Sequence, residues 1–260
     1  MNEPPPPEAY DLERIFRLKY GEPADTGWGP RQRHRFGYYT PDDHNEATID
    51  KLVTADTDWI DVGCGRSLFP NNEPLAKELS ERCRLLVGVD PDDTLDENPL
   101  VHERVKEPID TFRTDREFDL VTMRMVAEHI ADPRATAETL ARLVRSGGTV
   151  VVYTVYKWSP VPLVTRLMPF GIHHPVKKLL WGTEEKDTFP VVYRMNTRSA
   201  LKRHFGDAGF DEARFAYLDD CRTFNRFQFL NLCELLSRKA LRAVGLRYPE
   251  VCILGLYRRV

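Results

Sequence analysis

The stretch Trp59-Ile60-Asp61-Val62-Gly63-Cys64-Gly65-Arg66-Ser67 sets the reading of this chain. A short apolar run ends in an acid and then in two glycines one residue apart. That pattern predicts a buried strand that runs into a tight turn. Glycine tolerates positive φ and has no Cβ, so the backbone there can approach a ligand closely. A turn of this kind at the carboxyl end of a parallel strand points to a nucleotide-type cofactor.

Working outward, strand and helix patterns alternate. Strands are expected at Asp58 to Val62, Arg84 to Asp90, Val101 to Val105, Glu117 to Met123 and Thr149 to Tyr156. Helices are expected at Asn72 to Arg82 and Pro133 to Val144. Nearly all-apolar strands between helices predict a parallel sheet covered on both faces. Upstream, Ala9 to Tyr20 reads as an amphipathic helix, Gly21 to Pro41 as a loop, and Pro41 to Leu52 as a helix with Asp42 and Asp43 as capping candidates. Downstream, Lys157 to Arg194 breaks the pattern with five prolines and no clean period. An insertion of that length suits a substrate lid better than a bare connector. Asn196 to Gly209 returns to helix, Phe210 to Leu218 to strand, Phe224 to Val244 to helix, and Val251 to Arg259 to a last strand.

The composition suits one α/β domain with elaborations: 260 residues, 42% hydrophobic, with a net charge of -3. That charge gives no global pull toward nucleic acid. The five cysteines form no CxxC pair, which suits free thiols in a reducing cytosol. No stretch reaches the roughly 20 apolar residues of a membrane helix. A cytoplasmic location without a membrane span is expected.

Asp90 ends the second strand, 25 residues after Gly65. An acid there can accept hydrogen bonds from ribose hydroxyls. A dinucleotide fingerprint needs a third glycine three residues after the second, and Leu68 stands there. A ligand with a ribose and no phosphate fits better, and S-adenosylmethionine is the leading candidate. At this point the chain resembles the class I S-adenosylmethionine-dependent methyltransferases of small-molecule type. The resemblance rests on four pieces: DVGCGRS at Asp61 to Ser67, LVGVD at Leu86 to Asp90, EFDLVTMRMVAEHI at Glu117 to Ile130, and LARLVRSGGTVVVYT at Leu140 to Thr154. It covers roughly residues 45 to 156, and more loosely 196 to 260. Ser146-Gly147-Gly148 stands where the family has Pro-Gly-Gly.

The resemblance implies an α/β, Rossmann-like, seven-stranded mixed sheet in the order 3-2-1-4-5-7-6, with helices on both faces and an insertion after strand five. It implies an N-terminal extension and cofactor cap at 1–41, a methyltransferase domain at 42–260, and a substrate lid at 157–194. By position, Asp61, Gly63, Cys64 and Gly65 would line the cofactor, with Cys64 as a packing residue. Asp90 with Pro91 would meet the ribose, Glu107 the adenine, and Met123 and Arg124 the amino acid end.

The expected reaction is methyl transfer to a small-molecule acceptor, with oxygen favoured over nitrogen. Histidine as a residue type can take a proton from a hydroxyl at neutral pH, which makes His129 the candidate general base. Glu128 could orient it. Tyr38, Tyr39, Tyr156, His173 and His174 are the candidate substrate residues. No convincing set of acids or cysteines surrounds His173-His174, so no metal is expected. The basic, aromatic run Arg31 to Tyr39 admits two readings. It could close over the cofactor, or contact RNA by phosphates and stacking. Two rivals follow, an RNA methyltransferase and an inactive cofactor-binding scaffold.

Overall fold

The computed structural model describes residues 5–160 and 190–260. The chain enters through α1 (Ala9–Tyr20), α2 (Trp28–Arg35) and α3 (Pro41–Leu52). Helix α2 is a correction to the expected loop. Three arginines raise helix propensity there, and Pro30 falls in its first turn, where a missing N–H costs nothing. Helix α3 starts on a capping box. Thr40 Oγ1 accepts from the Asp43 N–H, and Asp43 accepts from the Thr40 N–H at 2.7 Å.

Then follow β1 (Asp58–Val62), α4 (Glu73–Arg82), β2 (Leu85–Val89), β3 (Glu103–Val105), β4 (Phe118–Arg124), α5 (Pro133–Leu143) and β5 (Val144–Val155). A single 3-10 turn, Asp93–Glu97, links β2 to β3. After the insertion come α6 (Arg198–Asp207), β6 (Phe210–Asp219), α7 (Gln228–Ala243) and β7 (Glu250–Arg259).

The seven strands form one sheet in the order β3-β2-β1-β4-β5-β7-β6. The first five are parallel, and β7 runs antiparallel to both β5 and β6. Apolar side chains fill both faces. One face packs Trp59, Leu86, Leu120, Val151 and Leu254 against α1, α3 and α4. The other packs Ile60, Val87, Val121, Val152 and Ile253 against α5 and α6. Both faces of the inner strands β1, β2 and β4 are therefore dry, which accounts for their continuous apolar character.

Helix α7 departs from this rule. Its buried side carries Asn231, Glu234, Leu235 and Arg238. Polar groups hold it in place. Asn231 Nδ2 donates to the Cys221 carbonyl at 2.8 Å, and Arg238 Nε donates to Asp219 Oδ2 at 2.5 Å.

Candidate functional site

The carboxyl ends of β1, β2 and β4 meet at the glycine turn. Gly63 and Gly65 both take positive φ, 68° and 42°. Only glycine adopts these without strain. A Cβ on Gly63 would also run into the Val126 side chain. The Gly65 N–H donates to Asp90 Oδ2 at 2.9 Å, and the Asp92 N–H donates to Asp90 Oδ1 at 2.9 Å. Each carboxylate oxygen thus keeps lone-pair capacity for a further donor. Asn98, which the sequence reading missed, is fully buried and donates to the Gly65 carbonyl at 3.1 Å. It fixes the outer limb of the turn.

Asp61 sits inside this turn, almost wholly buried. Thr122 Oγ1 donates to it at 2.5 Å, and Trp59 Nε1 donates to Thr122 Oγ1 at 2.7 Å. Burial pushes its carboxyl up to about 7. The Thr122 hydrogen bond and Arg124 oppose that rise, and Asp90 adds to it. Cys64 is buried in the core with its thiol pushed up by burial, which suits packing and not attack.

A second cluster lies at the end of β4. Asp42, in the first turn of α3, receives Arg222 Nη1 at 2.8 Å, Arg124 Nη2 at 3.3 Å and the Tyr153 hydroxyl at 3.4 Å. Burial works to raise its pKa. Arg222 and then Arg124 outweigh that and hold it down at about 2. Arg222 also forks onto Asp220. Asp42 is the hub of this cluster and not a helix cap. Its partners lie far off in sequence, so no local pattern marks it.

After Arg124 the chain turns sharply. Met125 takes φ 52°, a left-handed conformation that costs a non-glycine residue about 1–2 kcal/mol. The turn presents Glu128 and His129. Glu128 is buried, and Thr154 Oγ1 donates to its carboxylate at 2.6 Å. Its main-chain carbonyl accepts from the Val192 and Tyr193 N–H groups. Burial raises its pKa. His129 Nδ1 lies 3.2 Å from the Pro190 carbonyl, which fixes the ring proton on that nitrogen.

Several expected site residues are placed elsewhere or at the margin. Tyr38 lines no open pocket. It is buried, its hydroxyl donates to the Asp219 carbonyl and accepts from the Cys221 N–H, and Arg238 stacks over its ring. The Tyr39 hydroxyl donates to Glu13 of α1. Both tyrosines pin the N-terminal segment to the domain because each finds a fixed polar partner there. Pro91 is exposed beside Asp90, and Glu107 accepts from Thr111 at 3.0 Å. Met123 is buried under the sheet end.

Tyr156 lines a cavity of about 890 Å³ with Trp158, Tyr193, Arg194, Arg198 and Tyr217. This cavity backs onto the Glu128–His129 turn through Tyr193, and the glycine turn takes no part in it. His173 and His174 lie outside the described residues. Among the described residues, no group of three or more His, Cys, Asp or Glu side chains could hold a metal ion. In the basic run, Arg33 is buried and His34 pairs with Glu13, so those two side chains serve the fold.

The donor set fits the expected ligand. Asp90 keeps lone pairs that a ribose diol could use, and the two glycines leave the backbone bare beside it.

Comparison with known proteins agrees with this geometry. A family model described as a methyltransferase domain matches residues 31–212. The ubiquinone biosynthesis O-methyltransferase of Nitrosomonas europaea is 28% identical over 149 residues, 50% of this chain and 61% of that protein. The protein of the same name from Salmonella newport is 27% identical over 207 residues, 71% of this chain and 81% of that protein. The chain thus spans less than two thirds of the Nitrosomonas relative. Among solved structures, an S-adenosylmethionine dependent methyltransferase from Mesorhizobium loti shares the fold. The TM-score is 0.51 at 14% identity, covering 85% of this chain and 98% of that one. A mycolic acid cyclopropane synthase complexed with SAH and CTAB gives 0.50 at 15% identity, over 96% and 95%.

Proposed function

The chain belongs to the class I S-adenosylmethionine-dependent methyltransferases, and from that premise we propose that it methylates an oxygen of a small-molecule acceptor. The observation that carries the cofactor half is Asp90, held by the Gly65 and Asp92 N–H groups with lone pairs to spare for a ribose diol. Relatives named as O-methyltransferases support oxygen as the acceptor atom.

When bound, S-adenosylmethionine supplies a methyl group on a sulfonium, open to in-line displacement. Asp90 would hold the ribose, and the Asp61 carboxylate would attract the ammonium of the amino acid end. Gly63 and Gly65 leave their backbone open to the ligand, because neither carries a Cβ. Most of the acceleration comes from alignment of the acceptor. His129, with its proton on Nδ1, can take the acceptor proton on Nε2. The cavity beside Tyr156 and Tyr193 is the proposed acceptor pocket. The segment 157–194 remains a proposed lid, and most of it lies outside the described residues.

Calorimetry with S-adenosylmethionine tests the first half. Wild type binds, and Asp90→Ala loses about tenfold or more in affinity. Wild type that binds no S-adenosylmethionine overturns the reading. His129→Ala tests the second half, since turnover should fall about 100-fold or more with cofactor affinity unchanged. Full turnover in that variant removes His129 from the chemistry.

A further inference from the structure

Helix α7 is amphipathic with the wrong side out. Phe229, Cys233, Leu236, Ala240 and Val244 recur at a helical period. They fall opposite the buried side of Asn231, Glu234 and Arg238. Phe229 is 75% exposed, Leu236 49% and Val244 71%. Phe227, Leu230 and Leu246 extend the same exposed surface. A soluble surface seldom leaves so many large apolar side chains together.

The charge around this stripe has one sign. From Arg222 to Pro249 the sequence holds six basic residues and one acid, Glu234, which is buried. Lys239 flanks the stripe and is exposed, and Arg247 is exposed beyond its end, where it reaches Glu250 at 3.0 Å. Arg242 lies on the inner side, one turn after Arg238, and reaches Asp219 at 3.6 Å. Helix α2 packs against α7 and adds the exposed Arg31 and Arg35.

We infer that the α7 face docks the protein on an anionic lipid bilayer, with Phe229, Leu236 and Val244 in the headgroup–acyl boundary and the arginines and lysine on the headgroups. The charge complementarity selects this occupant. A second copy of the chain would set the same face against itself, because a two-fold interface is self-complementary. Lys239, Arg31 and Arg35 would then meet a surface equally basic, with no exposed acid on the helix to pair with them. A flat anionic surface satisfies both the apolar stripe and its cationic flanks.

The arrangement also brings the cleft close to the bilayer. The inward side of α7 holds the loop Asp219 to Arg222, and Arg222 bonds Asp42, which also receives Arg124 at the end of β4. One helix diameter, about 10 Å, separates the two. This inference goes beyond the methyl-transfer reading and is tested without any turnover assay.

The full chain is floated with vesicles of phosphatidylcholine alone and of an equal mixture of phosphatidylcholine and phosphatidylglycerol. Binding is expected to the mixed vesicles, and to weaken in high salt. The double variant Phe229→Ser, Leu236→Ser should lose about tenfold or more of that partitioning. Its circular dichroism should match wild type, since both side chains point away from the fold. Lys239→Glu with Arg35→Glu should abolish the preference for anionic vesicles and keep the same spectrum. No binding to mixed vesicles overturns the inference. So does binding that neither double variant weakens, or a dimer in light scattering that the serine variant splits.

Discussion

Two carboxylates in the site carry opposite electrostatic assignments, and each gives a prediction. Asp61 is raised to about 7 by burial. A carboxyl raised in the fold favours its neutral form. Its contribution to stability is full below the unfolded value near 3.8 and is lost as pH rises through about 7. Asp61→Asn should therefore raise the melting temperature above pH 7 and leave it unchanged near pH 4. The same variant should weaken S-adenosylmethionine binding by about tenfold. Cofactor affinity of the wild type should rise from pH 6 to pH 8, as the carboxylate ionises to meet a cation. A flat affinity profile would detach Asp61 from the ligand. The sequence placed this acid correctly at a strand end. It could not show the burial, which arises from Thr122 and Trp59 closing over the carboxyl from a neighbouring strand and the same one.

At the scale of the element, α3 shows how a local signal and a distant one can share adjacent residues. Asp43 caps the helix, as its spacing from Thr40 indicates. Asp42 turns instead toward Arg124 and Arg222, 82 and 180 residues away in sequence. Its pKa is held down at about 2. A lowered carboxyl gives stability that is present above the unfolded value near 3.8 and is lost as pH falls through about 2. Acid unfolding followed by circular dichroism should be less steep between pH 4 and pH 2 in Asp42→Asn. Asp42→Ala should cost about 2 kcal/mol at neutral pH, less than a fully buried pair because both guanidiniums are partly exposed. Helix α2 was illegible for a different reason. Glycine, proline and aromatics surround it, and its hold comes from packing on α7 and not from a periodic apolar face. The strands were the legible elements, because burial on both faces writes a continuous apolar run.

Across the whole molecule, ligand binding and stability should move together. A ligand that binds only the folded chain adds about 2.7 kcal/mol at a hundred times its dissociation constant. For a chain of this size that is a rise of about 5–10 °C in melting temperature. Asp90→Ala should lose most of the rise when measured at the same S-adenosylmethionine concentration. An equal rise in the variant would mean that the cofactor is held elsewhere. The sheet order followed from the resemblance, and the proposed cofactor end from Gly63, Gly65 and Asp90. The proposed acceptor pocket did not, because its walls come from segments joined only in space. Tyr156 follows β5, Tyr193 follows the insertion, and Tyr217 belongs to β6.

The position of β7 has a consequence for how the molecule is made. It follows both β5 and β6 in sequence, and it pairs with β5 on one side and β6 on the other. While the chain is being synthesised, β5 keeps a bare edge and β6 has no partner until residues 250 to 259 have left the ribosome. Until then the nascent protein carries an open sheet, a template for wrong pairing with its neighbours. Ribosome stalling before residue 250 should leave the chain protease-sensitive and prone to aggregate, and emergence of residues 250 to 259 should close the sheet in one step.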